Sequence, residues 1–136
     1  MDLIDLYRLA DQYGVSIDNF PMRDSVAISF PQGWIAVDFE RLQNSMEIKE
    51  CIAHEMGHIE TGSFYNSHSP LDIKQRHEYR ADKWAIHELI PFEDLQKAIK
   101  EGNTEIWQLA EYFNETEDFI RRTEYVYQCE GRLFEG

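Results

Sequence analysis

Positive charge is scarce in this chain: 13 Lys and Arg stand against 26 Asp and Glu, a formal net charge of −13 at pH 7. Nucleic-acid affinity rests largely on cations that neutralise phosphates, so this balance excludes direct nucleic-acid binding and argues equally against an anionic membrane surface. It favours basic partners, through steering more than through tight contact. Long apolar runs are missing too. Nothing approaches the ~18 consecutive apolar residues of a membrane span, and the N-terminal MDLIDLYRLADQYG places Asp2 and Asp5 where a secretory signal needs positive charge. Cysteine is limited to Cys51 and Cys129; they could pair, but two cysteines do not make a disulfide-stapled secreted scaffold. The cytoplasm is the expected compartment. No repeat, low-complexity tract or Gly/Ser/Pro linker divides the 136 residues, so one domain over 1–136 is expected.

What is present reads in order as helix, small sheet, then helices. Leu3, Ile4, Leu6, Tyr7, Leu9 and Ala10 form a broad apolar stripe, which predicts a helix over 2–13 closed by Gly14. VSI (15–17), SVAISF (25–30) and WIAVD (34–38) are short and rich in β-branched residues, with PQG (31–33) as the turn between the last two. They predict a small antiparallel sheet of about three strands. Asn44 three positions before Glu47 starts a helix that runs to Thr61, stopped by Gly62. Further helices are predicted over 71–90, closed by Pro91, then from Pro91 to before Gly102, over 104–113 and over 116–127, the last two capped by Thr104 and Thr116. Strand–helix alternations are too few for a doubly wound fold, and the class is α+β.

The chemistry gathers in CIAHEMGHIETG (51–62). His54 and His58 are one turn apart on one helix face, a spacing that lets two imidazoles reach one metal ion. H-E-x-x-H on a helix is the zinc-hydrolase arrangement, with Glu55 taking a proton from the attacking water. Core histidines or a solvated polar edge would give the same five letters. A third ligand is what separates these readings. In HEYRADKWA (77–85), Glu78, Ala81, Asp82 and Ala85 share one helix face. Glu78 can complete a His2Glu set with a fourth position left for water, and Asp82 can accept the free ring N–H of a ligand histidine. The competing reading is a solvated face in which Glu78 pairs with Lys74, and Asp82 with Arg76 or Lys83. Gly57, costly inside a helix by roughly 1 kcal/mol, gains a reason if the helix bearing Ala81 and Ala85 approaches it closely.

With both motifs in view, the sequence resembles the ImmA/IrrE family of metallo-endopeptidases. The resemblance rests on IAHEMGHIETG, on EYRADKWAIHELIP and on the tail WQLAEYFNETEDFIRR. It implies Zn2+ held by His54, His58 and Glu78, with Glu55 as general base, in a zincin-like two-helix site. It also implies a protein substrate, a DNA-binding helix-turn-helix repressor whose cleavage relieves repression, and a short member of the phage or mobile-element type. The tail itself has a helix-turn-helix rhythm, but from Glu105 to Glu124 six acidic residues face only Arg121 and Arg122. That is wrong for reading DNA, and a packing or substrate-positioning role is expected.

Other residues near the motifs invite roles. Cys51 lies one turn before His54, but a free cysteine is usually a small buried hydrophobe. His77 points about 100° from Glu78 on an ideal helix, and His87 is expected to be structural. Tyr65, His68 and Tyr79 are all candidates to stabilise a tetrahedral oxyanion. Two other functions are compatible with the ligand set: a non-proteolytic zinc module that binds a repressor or toxin, and a non-haem Fe(II) oxygenase. The first is disfavoured because structural zinc is normally closed by four protein ligands, the second by a glutamate wedged beside the first histidine.

Overall fold

The computed structural model describes residues 1–132. Helix α1 (Leu3–Gln12) starts on a capping box, in which the Asp2 carboxylate accepts from the Asp5 N–H at 2.8 Å and the Asp5 carboxylate from the Asp2 N–H at 3.3 Å. Leu6 and Ala10 are its buried residues. Strands β1 (Ser16–Asn19), β2 (Ala27–Phe30) and β3 (Trp34–Val37) follow, in sheet order β1-β3-β2. The α+β order expected from the sequence is thus the order of the fold.

The sheet is mixed, which corrects the antiparallel expectation. β2 pairs antiparallel with β3, Ala27 opposite Val37 and Phe30 opposite Trp34, but β1 pairs parallel with β3. The turn over 31–33 fixes direction only for the two strands it joins. Segment 20–26 carries the chain from one edge of β3 to the other, and such a crossover leaves no mark in strand periodicity. Arg41 holds that segment: its Nη1 donates to the carbonyls of Met22, Arg23 and Ser25 at 3.2, 3.3 and 2.8 Å.

Helix α2 (Ser45–Thr61) begins where the Asn44 side chain accepts from the Glu47 N–H at 3.0 Å. Glu47 reaches back one residue further than expected, accepting from the Gln43 N–H at 2.7 Å. Helices α3 (Leu71–Leu89) and α4 (Phe92–Lys100) meet at Pro91. Helix α5 (Ile106–Phe113) does not use the Thr104 cap. Its N-cap is Glu105, and Gln108 Oε1 accepts from both the Thr104 and Glu105 N–H groups at 3.0 Å. Helix α6 (Glu117–Cys129) does start on Thr116, whose hydroxyl accepts from the Phe119 N–H at 3.1 Å.

The core lies between the sheet and the helices. β3 (Ile35, Val37), α2 (Ile52, Met56), α3 (Ile86, Leu89) and α6 (Phe119, Ile120) bury their apolar faces together. α2 and α3 form its most extensive helix pair. Their crossing is close because α2 has a glycine there: a Cβ added at Gly57 would fall 2.9 Å from Ala81 Cα and 3.0 Å from Ala81 C. Among the described residues Cys51 and Cys129 are both free thiols, and no helix is long and apolar enough to cross a membrane.

Candidate metal centre

The tight α2–α3 crossing brings His54, His58 and Glu78 together, with one ligating atom from each lying within 4.8 Å of the others. His54 Nε2 is 2.7 Å from Glu78 Oε2, His58 Nε2 is 3.2 Å from Glu78 Oε1, and the two Nε2 atoms are 3.2 Å apart. Ring orientation is set from behind. His54 Nδ1 donates to Asp82 Oδ1 at 2.8 Å, and His58 Nδ1 donates to the Ser63 carbonyl at 2.6 Å. The second contact depends on Gly62, whose left-handed backbone (φ 65) turns the chain back after α2. Ser63 N–H then closes on the His58 carbonyl at 3.0 Å.

With both Nδ1 atoms committed as donors, the two Nε2 atoms turn towards each other and towards the Glu78 carboxylate. A proton or a cation must lie among them. Two imidazole nitrogens and one carboxylate, converging with their outer atoms already hydrogen-bonded, fit a divalent metal with an open position.

Protonation follows from this geometry. Burial pulls the His54 imidazolium down, but the hydrogen bonds to Asp82 and Glu78 and the charges of Asp82 and Glu55 outweigh it, raising its pKa to about 10. His58 is raised as well, burial again opposing and the Glu78 and Ser63 contacts prevailing. Glu78 is held well below the usual carboxylate range by its contacts to both histidines. Glu55 behaves oppositely: burial pushes its carboxyl up, while the neighbouring His54 and His58 and the Ser29 hydroxyl pull it partly back. Environment thus separates the carboxyls into an ionised one and one with raised proton affinity, the pattern that marks acid–base sites.

The centre opens on a cleft of ≈ 430 Å³ between the edge strand β2 and the segment after α2. Glu55, Ser29, Phe64 and Tyr65 line it alongside the three ligand candidates. Of the three oxyanion candidates only Tyr65 faces this space; its hydroxyl donates to Glu78 Oε1 at 2.6 Å. Tyr79 lies on another face of α3, with Asp72 and Arg76, and the His68 N–H donates to Asn66 within its own loop. Cys51 sits outside the converging set, its thiol pushed up to about 12 by burial and the Glu55 charge. His77 turns behind Tyr65, ring centroids 6.3 Å apart, and His87 pairs with Glu130 at 2.7 Å. The pairings of the solvated-face reading are not among the described ion pairs: Lys74 reaches the Ser67 carbonyl, Arg76 reaches Asp72, and Asp82 meets His54 and Arg122 rather than Arg76 or Lys83.

Two contacts escaped sequence reasoning. Ser63 acts through its backbone carbonyl, which no side-chain pattern announces, although the helix-stopping Gly62 beside it was a signal. Arg122, 40 residues from Asp82 in sequence, donates to Asp82 Oδ1 at 2.8 Å.

A helix pair closing two histidines and a glutamate beside a half-buried carboxyl is the arrangement of a metal-dependent hydrolase. The chain belongs to the Peptidase M78 family, described as the IrrE N-terminal-like domain, whose model matches residues 41–123. This is a family of metallopeptidases, and the matched span takes in α2, α3 and the part of α6 that carries Arg122. Among solved structures, a Mycobacterium tuberculosis transcriptional regulator superposes with a TM-score of 0.67 over 88% of this chain and 39% of its own, at 15% identity. That likeness is one of fold, and this chain spans well under half of the regulator's length. No curated protein matches the chain.

Proposed function

We propose that this protein is a zinc endopeptidase in which His54, His58 and Glu78 hold the metal and Glu55 is the general base. The observation that carries the reading is the convergence of two oriented Nε2 atoms and an ionised carboxylate beside Glu55, whose own proton affinity is raised. Zinc, when bound, supplies a Lewis acid that brings the attacking water's pKa towards roughly 7 and polarises the scissile carbonyl. Glu55 takes the water's proton and hands it to the leaving amine. Asp82 and the Ser63 carbonyl keep the imidazoles in the Nδ1–H tautomer. Tyr65, in the cleft and able to donate, stabilises the tetrahedral oxyanion. An extended substrate segment lies along the open edge of β2, which borders the cleft.

The proposed substrate is a DNA-binding helix-turn-helix repressor, cut to relieve repression in the manner of the phage or mobile-element members that the sequence resembles. A chain of net charge −13 and a basic DNA-binding protein are electrostatically matched. The proposal includes one catalytic domain working in the cytoplasm. Glu55→Gln tests it. Zinc content should be kept while cleavage of a purified helix-turn-helix repressor, followed by intact-mass measurement, falls by a factor on the order of 10²–10⁴. Full activity in that variant removes Glu55 from the mechanism. An uncut, stable complex formed by the unmodified protein would favour the non-proteolytic module.

A further inference from the structure

The metal centre is built from α2 and α3, yet its outer hydrogen bonds continue into α6. Asp82 Oδ1 is shared by two donors: His54 Nδ1 at 2.8 Å and Arg122 Nη1, also at 2.8 Å. Arg122 is itself held on three sides. Its Nε donates to Asp118 Oδ2 at 3.1 Å, one turn earlier on α6, and its guanidinium lies 5.4 Å from the centroid of the buried Phe119 ring. The start of α6 is fixed in turn to α2. The Thr116 N–H and hydroxyl both donate to the Glu50 carboxylate, at 2.7 and 2.8 Å, and buried Lys49 pairs with Glu115. Glu50 is one turn before His54. The C-terminal helix is therefore anchored to the ligand helix at one point and reaches the ligand's carboxylate partner from another.

From this geometry we infer that Arg122 is a positioning residue for the metal centre, holding Asp82 in the rotamer that fixes His54. The inference rests on the proposed ligand role of His54. Without Arg122, Asp82 stands in a strongly acidic neighbourhood, with Glu50 and Asp118 near the guanidinium and Glu55 and Glu78 near the histidines. Repulsion there favours turning the carboxylate out towards solvent. Arg122 supplies the one cation contacting Asp82 among the described ion pairs besides His54 itself. A planar fork can hold Asp82 and Asp118 at once, which a lysine ammonium does poorly. Partly exposed ion pairs contribute little to global stability, so the effect belongs to the metal and not to the fold. The acidic tail thereby acquires a role its charge balance does not suggest.

The test is zinc affinity by chelator competition for the full chain and for Arg122→Met, Arg122→Lys, Asp82→Asn and the Asp82→Asn/Arg122→Met double variant. Melting of the metal-free proteins and the visible spectra of their cobalt(II) forms accompany it. Arg122→Met should lose about 10-fold in affinity, at the low end for partners of metal ligands, with its cobalt spectrum altered and its metal-free melting temperature within about 3 °C of the parent. Arg122→Lys should recover only part of the loss. The double variant should be no weaker than Asp82→Asn alone, because Arg122 acts through Asp82. Parental affinity and spectrum in Arg122→Met, or a loss adding in full to that of Asp82→Asn, would overturn the inference. His54→Ala separates this from failure of the site. If that variant keeps parental zinc affinity, the ligand assignment falls and the inference with it; if it loses zinc while Arg122→Met does not, only the inference falls.

Discussion

Gly57 and Ala81 place the backbones of α2 and α3 in direct contact, with the carbonyl oxygen of Ala81 occupying the space a Gly57 side chain would need. The two helices that bear the proposed ligands cannot come this close with any other residue at 57. A substitution there therefore reads out the helix spacing on which the proposed metal centre depends. Gly57→Ala should gain helix propensity worth about 1 kcal/mol but force an overlap with backbone, which cannot swing aside as a side chain can. Overpacking of this kind costs about 1–3 kcal/mol, so a net destabilisation of up to about 2 kcal/mol is expected. Urea denaturation measures it, and zinc affinity should fall with it. A more stable variant with parental affinity would mean that the helices separate at no cost.

Glu78 contributes the only carboxylate of the converging set and contacts both histidines. Glu78→Gln keeps the shape but removes the charge. Altering a partner one step further out already costs 10–100-fold in metal affinity, so this change should cost more than about 100-fold. Chelator competition followed by metal analysis of the purified variant reports it. Stoichiometric zinc retained through dialysis would place the third ligand elsewhere.

Metal-free His54 lies between Asp82 and Glu78 with its pKa raised to about 10, so at neutral pH it carries both ring protons. As the proposed zinc ligand, His54 would offer its Nε2 lone pair and give up that proton. Affinity should therefore climb with pH up to about 10, and titration calorimetry in buffers of different ionisation enthalpy should show about one proton or more released per zinc at pH 7. The sign for the metal-free fold is the reverse. A histidine whose folded pKa is raised contributes stability fully present below its ordinary value of 6.5 and lost as pH rises through about 10. Zinc binding without proton release would show that the imidazole is not held as proposed.

Lys49 is buried on α2, where its ammonium meets Glu115 and donates to the carbonyls of Met1 and Asn114, each at 3.0 Å. Lys49→Met strands these acceptors and should cost about 1–3 kcal/mol, the penalty for leaving polar groups without a partner. Glu115→Gln keeps an acceptor for Lys49 and should cost about 1 kcal/mol or less near neutral pH. Burial pushes the Glu115 carboxyl up to about 9, the Glu50 carboxylate adding to the rise and Lys49 opposing it. A carboxyl raised on folding contributes stability that is complete below its ordinary 4.5 and is lost as pH climbs to about 9. The Gln variant should therefore gain on the parent between pH 5 and pH 9 in denaturant titrations. A constant difference across that range would mean that Glu115 titrates normally.

Much of the candidate site's placement was legible before the fold. The four-residue spacing of His54 and His58, Glu78 and Asp82 sharing a helix face, and the small Gly57 and Ala81 all follow from the 3.6-residue helical repeat. That repeat acts within one element, which is why the boundaries of α2, from the Asn44 cap to Gly62, also came through. The parallel pairing of β1 with β3 did not, because it depends on how segment 20–26 crosses the sheet.

The sequence by itself determined which residues can carry the chemistry and on which helix faces they lie. Only the tertiary structure decided what stands behind them: the Ser63 carbonyl under His58, Tyr65 and not His68 or Tyr79 in the cleft, and Arg122 against Asp82. Local periodicity is set by backbone geometry over a few residues, whereas these contacts join segments whose separation along the chain carries no periodic signal. They exist because the buried faces of α2, α3 and α6 can close on one core in this arrangement.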